Sequence, residues 1–184
     1  MNKTLSLIAL VLATAVTSFA GEAVSSKKVV APADDCRFRA NEWQVDVAAE
    51  GAGGNYNNKS GGGIGGDLGI NYFFTQYIGV GIDDEVGGFW PSSGAGAVGV
   101  DCLQADLLLR YPICAWNLAP YAMVGGGATW GRVSQGDGNV GAGVEWRFAR
   151  NVGLFAECRW LYGTGAANGN LSMALPRAGV RFNF

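Results

Sequence analysis

The chain contains no histidine. A Ser-His-acid triad of the kind used by outer-membrane lipid hydrolases therefore cannot be assembled, and neither can a zinc site that depends on imidazole. Charge is also scarce: Asp, Glu, Lys and Arg together make up 15% of the residues, where a soluble domain carries about a quarter. Basic side chains do not outnumber acidic ones, 13 against 15, so the positive footprint of a nucleic-acid binder is missing. The third lack is of long apolar runs. Beyond the N-terminal segment no uninterrupted stretch approaches the roughly 20 residues that a membrane helix needs. A charge-poor chain without such helices retains one other way to cross lipid with every backbone group paired, which is a closed β-barrel.

What is present fits that reading. The chain of 184 residues is 49% hydrophobic and holds 30 glycines. Residues 1–20 have the form of a secretory signal: Lys3, an apolar run from Leu5 to Val16, then Ser18 and Ala20 as small residues before Gly21. No cysteine follows at once, which disfavours a lipid-anchored lipoprotein. Residues 21–41, with Ser25, Ser26, Pro32, Asp34 and Asp35, read as a periplasmic linker, and 42–184 as the barrel.

The clearest strand is the last. From Ala174, the residues Ala174, Pro176, Ala178, Val180, Phe182 and Phe184 share one parity, and Arg177, Gly179, Arg181 and Asn183 share the other. Period-two alternation defines a two-faced strand. An apolar face backed by arginines suits a wall with lipid outside and a polar lumen inside. The same pattern predicts strands over 43–50, 64–74, 77–87, 98–111, 121–130, 140–148 and 154–162, which with 173–184 makes eight. Residues 51–63, 88–96, 131–139 and 163–171 read as longer loops, with shorter connections at 75–76, 112–120 and 149–151. Long loops outside and short turns inside would place both termini in the periplasm. On the outward parity, Trp43, Tyr72, Tyr111, Trp146, Phe148, Phe182 and Phe184 fall at one end, and Trp130, Trp160 and Tyr162 at the other. Such a division predicts two interfacial girdles.

Given the alternation, the Leu118-Ala119-Pro120-Tyr121 entry to a strand and the terminal Arg181-Phe182-Asn183-Phe184, the segment 42–184 resembles the small outer-membrane β-barrels of the OmpA and OmpX type. The resemblance implies an all-β fold, an eight-stranded antiparallel up-and-down transmembrane barrel, in a Gram-negative outer membrane. It also implies a monomer embedded in outer-membrane lipid and lipopolysaccharide. In that family a terminal aromatic is recognised by the barrel-assembly machinery, which makes Phe184 the expected insertion signal. Members serve as structural anchors, adhesins or small pores, so the family fixes no single role. A peptidoglycan-binding domain after the barrel is not expected.

The inward parity collects Asp46, Glu50, Asp67, Asp83, Gln104, Asp106, Arg110, Glu145, Arg147, Glu157, Arg159, Arg177 and Arg181. An eight-stranded barrel is about wide enough for side chains to fill, so these mixed charges read as a lumen network. Its neighbouring reading is a narrow diffusion pore whose pairs rearrange. Asp46 and Arg181 are expected close together at the seam between first and last strands. Asp83, Asp84 and Glu85 read as a solvated strand end rather than a calcium site, and Phe89-Trp90-Pro91 as either a surface contact or part of a girdle. The Gly61–Gly63 and Gly125–Gly127 runs lack the Lys-Ser/Thr of a phosphate loop. Cys36 and Cys114 both fall on the periplasmic side, an oxidising compartment, and are expected to form a disulfide. Cys102 is expected inward and Cys158 toward lipid, both unpaired. No cofactor, metal or catalytic residue is implied. The chain reads as a structural or adhesin-like surface barrel, with a diffusion pore as the alternative and a soluble ligand-carrying barrel as a third.

Overall fold

The structure is a computed structural model, which describes residues 36–56, 58–94, 96–131, 134–164 and 170–184. The expected signal segment and residues 21–35 of the linker lie outside the described residues. Eight strands follow in order: β1 (Glu42–Tyr56), β2 (Lys59–Phe73), β3 (Ile78–Pro91), β4 (Val98–Arg110), β5 (Leu118–Trp130), β6 (Gln135–Trp146), β7 (Val152–Thr164) and β8 (Asn170–Asn183). Each pairs with its neighbour in sequence, and β8 returns to β1, so the sheet closes on itself. All eight pairings are antiparallel. At the seam Asp46 lies opposite Arg181 and Val47 opposite Val180. Trp43 and Phe184 exchange backbone hydrogen bonds of 3.2 and 2.9 Å across it, leaving no open edge.

Strand number and facing follow the period-two pattern, but several ends do not. Residues 51–56 and 59–63, read as loop, are paired in register from Gly51 opposite Ile64 to Tyr56 opposite Lys59. Asn58, at φ 61°, turns this hairpin. Gly88–Pro91 belongs to β3, where Phe89 lies opposite Gly63 and Val98. Gln135–Asn139 continues β6, Gly163 and Thr164 continue β7, and Asn170 to Ser172 begin β8. The cause is that a backbone ladder does not need side chains. Two glycine-rich segments facing each other in an established register go on pairing, although neither carries an alternating pattern. The four connections away from the chain termini thereby shrink to 57–58, 92–97, 131–134 and 165–169. They are no longer clearly longer than 74–77, 111–117 and 147–151 at the terminal end. Near that terminal end a short 3-10 helix, Cys114–Trp116, is closed by Asn117 in the left-handed region.

The outer surface is apolar. Val47, Ile70, Val80, Ile82, Leu107, Val124, Val140 and Leu154 are exposed in a band between two sets of exposed aromatics. Trp43, Phe74, Tyr77, Tyr111, Trp146, Phe148 and Phe184 ring the terminal end, and Trp90, Trp130, Trp160 and Tyr162 the other, here called the loop end. Ring contacts link the lower set: Trp43 to Tyr72 at 4.8 Å, Tyr72 to Phe74 at 5.1 Å and Trp146 to Phe148 at 5.9 Å. A continuous apolar belt bounded by aromatics belongs to a protein whose lateral solvent is lipid.

Candidate functional site

Alternation along every strand sends the other half of the side chains into the lumen, where, among the described residues, eight carboxylates and five arginines are buried. At the terminal end, Arg147 of the β6–β7 connection grips Glu42 of β1 with two nitrogens, at 2.7 and 2.6 Å, and Glu145 of β6 at 2.5 Å. Arg110, the last residue of β4, reaches Glu42 at 3.1 Å and Glu145 at 3.8 Å. Its guanidinium also lies 3.8 Å from the centre of the Phe73 ring. One step further in, Arg181 of β8 makes a two-point pair with Asp46, at 2.7 and 2.6 Å, and reaches Glu145 at 3.1 Å. Asn71 donates to the same Asp46 at 2.9 Å. The rings of Phe155 and Tyr121 flank Arg181 at 4.6 and 5.2 Å.

Toward the loop end two arginines carry the network. Arg177 of β8 contacts Glu157 at 2.6 Å, Asp67 at 2.5 Å, Asp83 at 3.2 Å and Glu85 at 3.4 Å. Arg159 of β7 contacts Glu85 at 2.6 Å, Asp106 at 2.7 Å and Asp83 at 2.9 Å. Tyr121 donates to Glu157 at 2.5 Å, and Asn139 donates to Asp106 at 2.8 Å. Fork-shaped guanidiniums suit such multiple carboxylate contacts, which an ammonium at the same place would not reproduce.

Of the expected inward set, Asp46, Asp67, Asp83, Gln104, Asp106, Arg110, Glu145, Arg147, Glu157, Arg159, Arg177 and Arg181 are buried in the lumen, and Glu50 is half-buried. Two further members were not read as such. Glu85 is not at a solvated strand end but 2% exposed and held by both Arg159 and Arg177. The acidic neighbour Asp84 obscured it, yet the β3 alternation that turns Asp83 inward turns Glu85 inward too. Glu42 stands where the barrel was taken to begin, and its parity with Gln44 and Asp46 was the available signal.

The larger omission is apolar. Toward the loop end the lumen is packed with Tyr56, Phe89, Val100, Cys102, Leu161, Leu171, Met173 and Leu175. Phe89 is thus inside the barrel, and of the expected Phe89-Trp90-Pro91 surface contact only Trp90 faces outward, on the upper girdle. At the other mouth the described end of the linker enters the barrel. Phe38 is 2% exposed, with the guanidiniums of Arg147 and Arg110 at 4.2 and 5.0 Å from its ring centre. Arg37 and Arg147 each donate to the other's backbone carbonyl at 2.5 Å. Cys36 is bonded to Cys114, pinning this segment to the connection before β5. Cys102 is buried and Cys158 exposed on the outer face, both unpaired. Phe184 projects outward at the seam. Among the described residues no group of three or more His, Cys, Asp or Glu side chains is arranged to hold a metal ion.

An apolar belt, closed antiparallel pairing and a lumen filled by charge pairs and an apolar cap define a class, the eight-stranded transmembrane β-barrel. No family model and no curated protein matches the sequence. Solved structures do. The chain is similar to Neisserial surface protein A, with a TM-score of 0.65 at 16% identity over 79% of this chain and 98% of that one. It is also similar to Ail, the attachment invasion locus protein of Yersinia pestis, with a TM-score of 0.56 at 16% identity over 79% and 99%. The outer membrane protein OprG of Pseudomonas aeruginosa gives 0.52 at 11% identity over 81% and 99%. The fold is therefore that of the small Gram-negative outer-membrane barrels.

Proposed function

We propose that the protein is a monomeric outer-membrane β-barrel of structural or surface-interaction function, a closed plug in the bilayer rather than a conduit or an enzyme. The observation that carries this reading is the double closure of the lumen. Phe38 fills the terminal mouth, and at the loop end Leu161 and Leu171, both 0% exposed, sit in the apolar cluster. Between them each arginine is tied to at least two carboxylates, so an ion in transit would have to break several buried pairs at once. In planar bilayers the purified barrel should give no reproducible single-channel steps; discrete steps would establish the small diffusion pore instead.

Its partners on this reading are outer-membrane lipid and lipopolysaccharide along the belt, with no nucleic acid. The barrel-assembly machinery would read the last strand through Phe184. Surface contact would be made by projecting sheet rather than by long loops. Strands of 15 residues in β1 and β2 rise about 38 Å at about 3.3 Å per residue and a tilt of about 40°, against an apolar band of about 25 Å. Since Trp43 and Tyr72 sit at the terminal girdle, the excess emerges at the loop end with the Gly- and Asn-rich 51–60 hairpin. One structural neighbour carries the name attachment invasion locus protein, which accords with a surface role. Binding of whole cells to matrix-coated plates, with and without residues 53–61, measures that role directly; unchanged binding would leave the protein as a structural barrel.

A further inference from the structure

The buried charges of the terminal half balance, with Glu42, Asp46 and Glu145 against Arg110, Arg147 and Arg181. Outside that set the terminal rim carries further arginines. Arg37 and Arg39 belong to the segment before β1, and Arg150 to the β6–β7 connection. Arg150 is exposed and makes no ion pair among the described residues. Arg39 is half exposed, its Nε 3.6 Å from Glu42, a carboxylate that Arg147 and Arg110 already hold. Arg37 donates to the Arg147 carbonyl, which is a neutral acceptor. The segments that make up this rim, 36–41, 74–77, 111–117 and 147–151, contain no Asp or Glu. In the sequence before them, Asp34 and Asp35 are offset by Lys27 and Lys28. The rim is therefore basic, with no acid of its own to meet these side chains.

The disulfide decides where that charge sits. Cys36 is bonded to Cys114, so Arg37, the next residue, is tied to the connection that carries Tyr111 and Trp116, 67% and 70% exposed. Arg37 and Arg147 donate to each other's carbonyl, which brings the same segment to the connection holding Phe148 and Arg150. Exposed aromatic rings at the end of an apolar belt mark headgroup height, and a guanidinium on its flexible stem reaches that height too. Its planar fork pairs with phosphate oxygens. We propose that the terminal rim is a docking surface for anionic phospholipid, whose phosphates are received by Arg37, Arg39 and Arg150 beside Tyr111 and Trp116. A bilayer fits this surface better than an acidic protein, since the arginines stand next to rings that are themselves at headgroup height. The inference rests on the membrane placement of the barrel and is independent of whether the lumen conducts.

The full barrel is folded into vesicles of phosphatidylcholine alone and of phosphatidylcholine with phosphatidylglycerol, then unfolded in urea. Folding into the first kind already tests the membrane placement by itself. The expected result is a higher midpoint in the anionic vesicles, worth roughly fivefold in the folding equilibrium for each arginine engaged and fading as salt is raised. Arg39→Gln and Arg150→Gln, both at exposed side chains, each remove part of the shift. Lys59→Gln, on the hairpin beyond the upper girdle, keeps all of it. Equal midpoints for the wild type in the two vesicles overturn the surface and leave it to an acidic protein. A loss in Lys59→Gln as large as in Arg150→Gln also overturns it, because net charge alone would then explain the shift. So does an equal gain from sodium phosphate added to the phosphatidylcholine vesicles, which would assign the arginines to free phosphate instead of a bilayer.

Discussion

Arg181 and Asp46 meet with two short contacts in a fully closed part of the lumen. Their pair is worth little relative to a well-packed apolar substitute, because desolvation consumes most of the attraction, but breaking it on one side strands the other charge. Arg181→Met leaves Asp46 with Asn71 as its remaining hydrogen-bonding side chain. It should cost about 3 kcal/mol or more, measured by urea unfolding from lipid vesicles. The double change Arg181→Met with Asp46→Leu should cost clearly less than the two single changes added together; strict additivity would mean the pair is not coupled. Phe184 poses the opposite case. Its ring is exposed at the terminal girdle, and its seam contacts to Trp43 are made by backbone. Phe184→Ala should therefore leave the finished barrel close to wild-type stability while lowering the amount reaching the outer membrane. Normal membrane yield would remove its role as an insertion signal.

The strands make their own demands. Gly179 of β8 faces inward at the seam, where a Cβ would run into the Val47 carbonyl oxygen and the Ala48 Cα. These are backbone atoms that cannot step aside. Gly179→Val should keep β8 from closing on β1 and abolish the compact, heat-modifiable form on gels. Gly53→Ala, where an added Cβ meets nothing within 4 Å, is the matched control and should migrate as wild type. The segment before β1 is held differently, by the Cys36–Cys114 bond across 78 residues of sequence. Cys36→Ser should lower stability by about 2–4 kcal/mol and free the segment for tryptic cleavage after Arg37, with resistance to cleavage showing that Phe38 holds the segment unaided. Elements were legible in the sequence wherever side chains alternate: β8 with its arginines, β6 with Glu145 between Val144 and Trp146. They were illegible where glycine erased the alternation, as in 51–56 and 59–63, because those pairings depend on register inherited from the residues below. For the lumen, single-residue charge was readable, but runs such as Asp83-Asp84-Glu85 hid a two-faced strand. The apolar cap was hidden by expecting a uniformly polar interior, although Leu161, Met173 and Leu175 lie on the inward parity.

At the scale of the whole molecule, closure by an even number of strands puts the beginning of β1 and the end of β8 at one rim. Which rim faces the cell interior cannot be argued from loop length, since the connections at the two ends are of similar size once the strands are extended. Two other observations favour a periplasmic terminal rim. The disulfide and the inserted Phe38 lie at the terminal rim, and a disulfide suits an oxidising compartment such as the periplasm. The sheet beyond the upper girdle carries polar residues such as Asn55 and Ser60, which suit an aqueous exterior and have no place in lipid. An epitope inserted after Asn58 should thus be tolerated, because it extends a turn and leaves every ladder bond in place, and antibody should bind it on intact cells. The same epitope inserted after Gln76, in the connection between β2 and β3, should become accessible only after the outer membrane is permeabilised. Labelling of the second insertion on intact cells, with the first silent, would invert the barrel and move the proposed contact surface to the other side of the membrane.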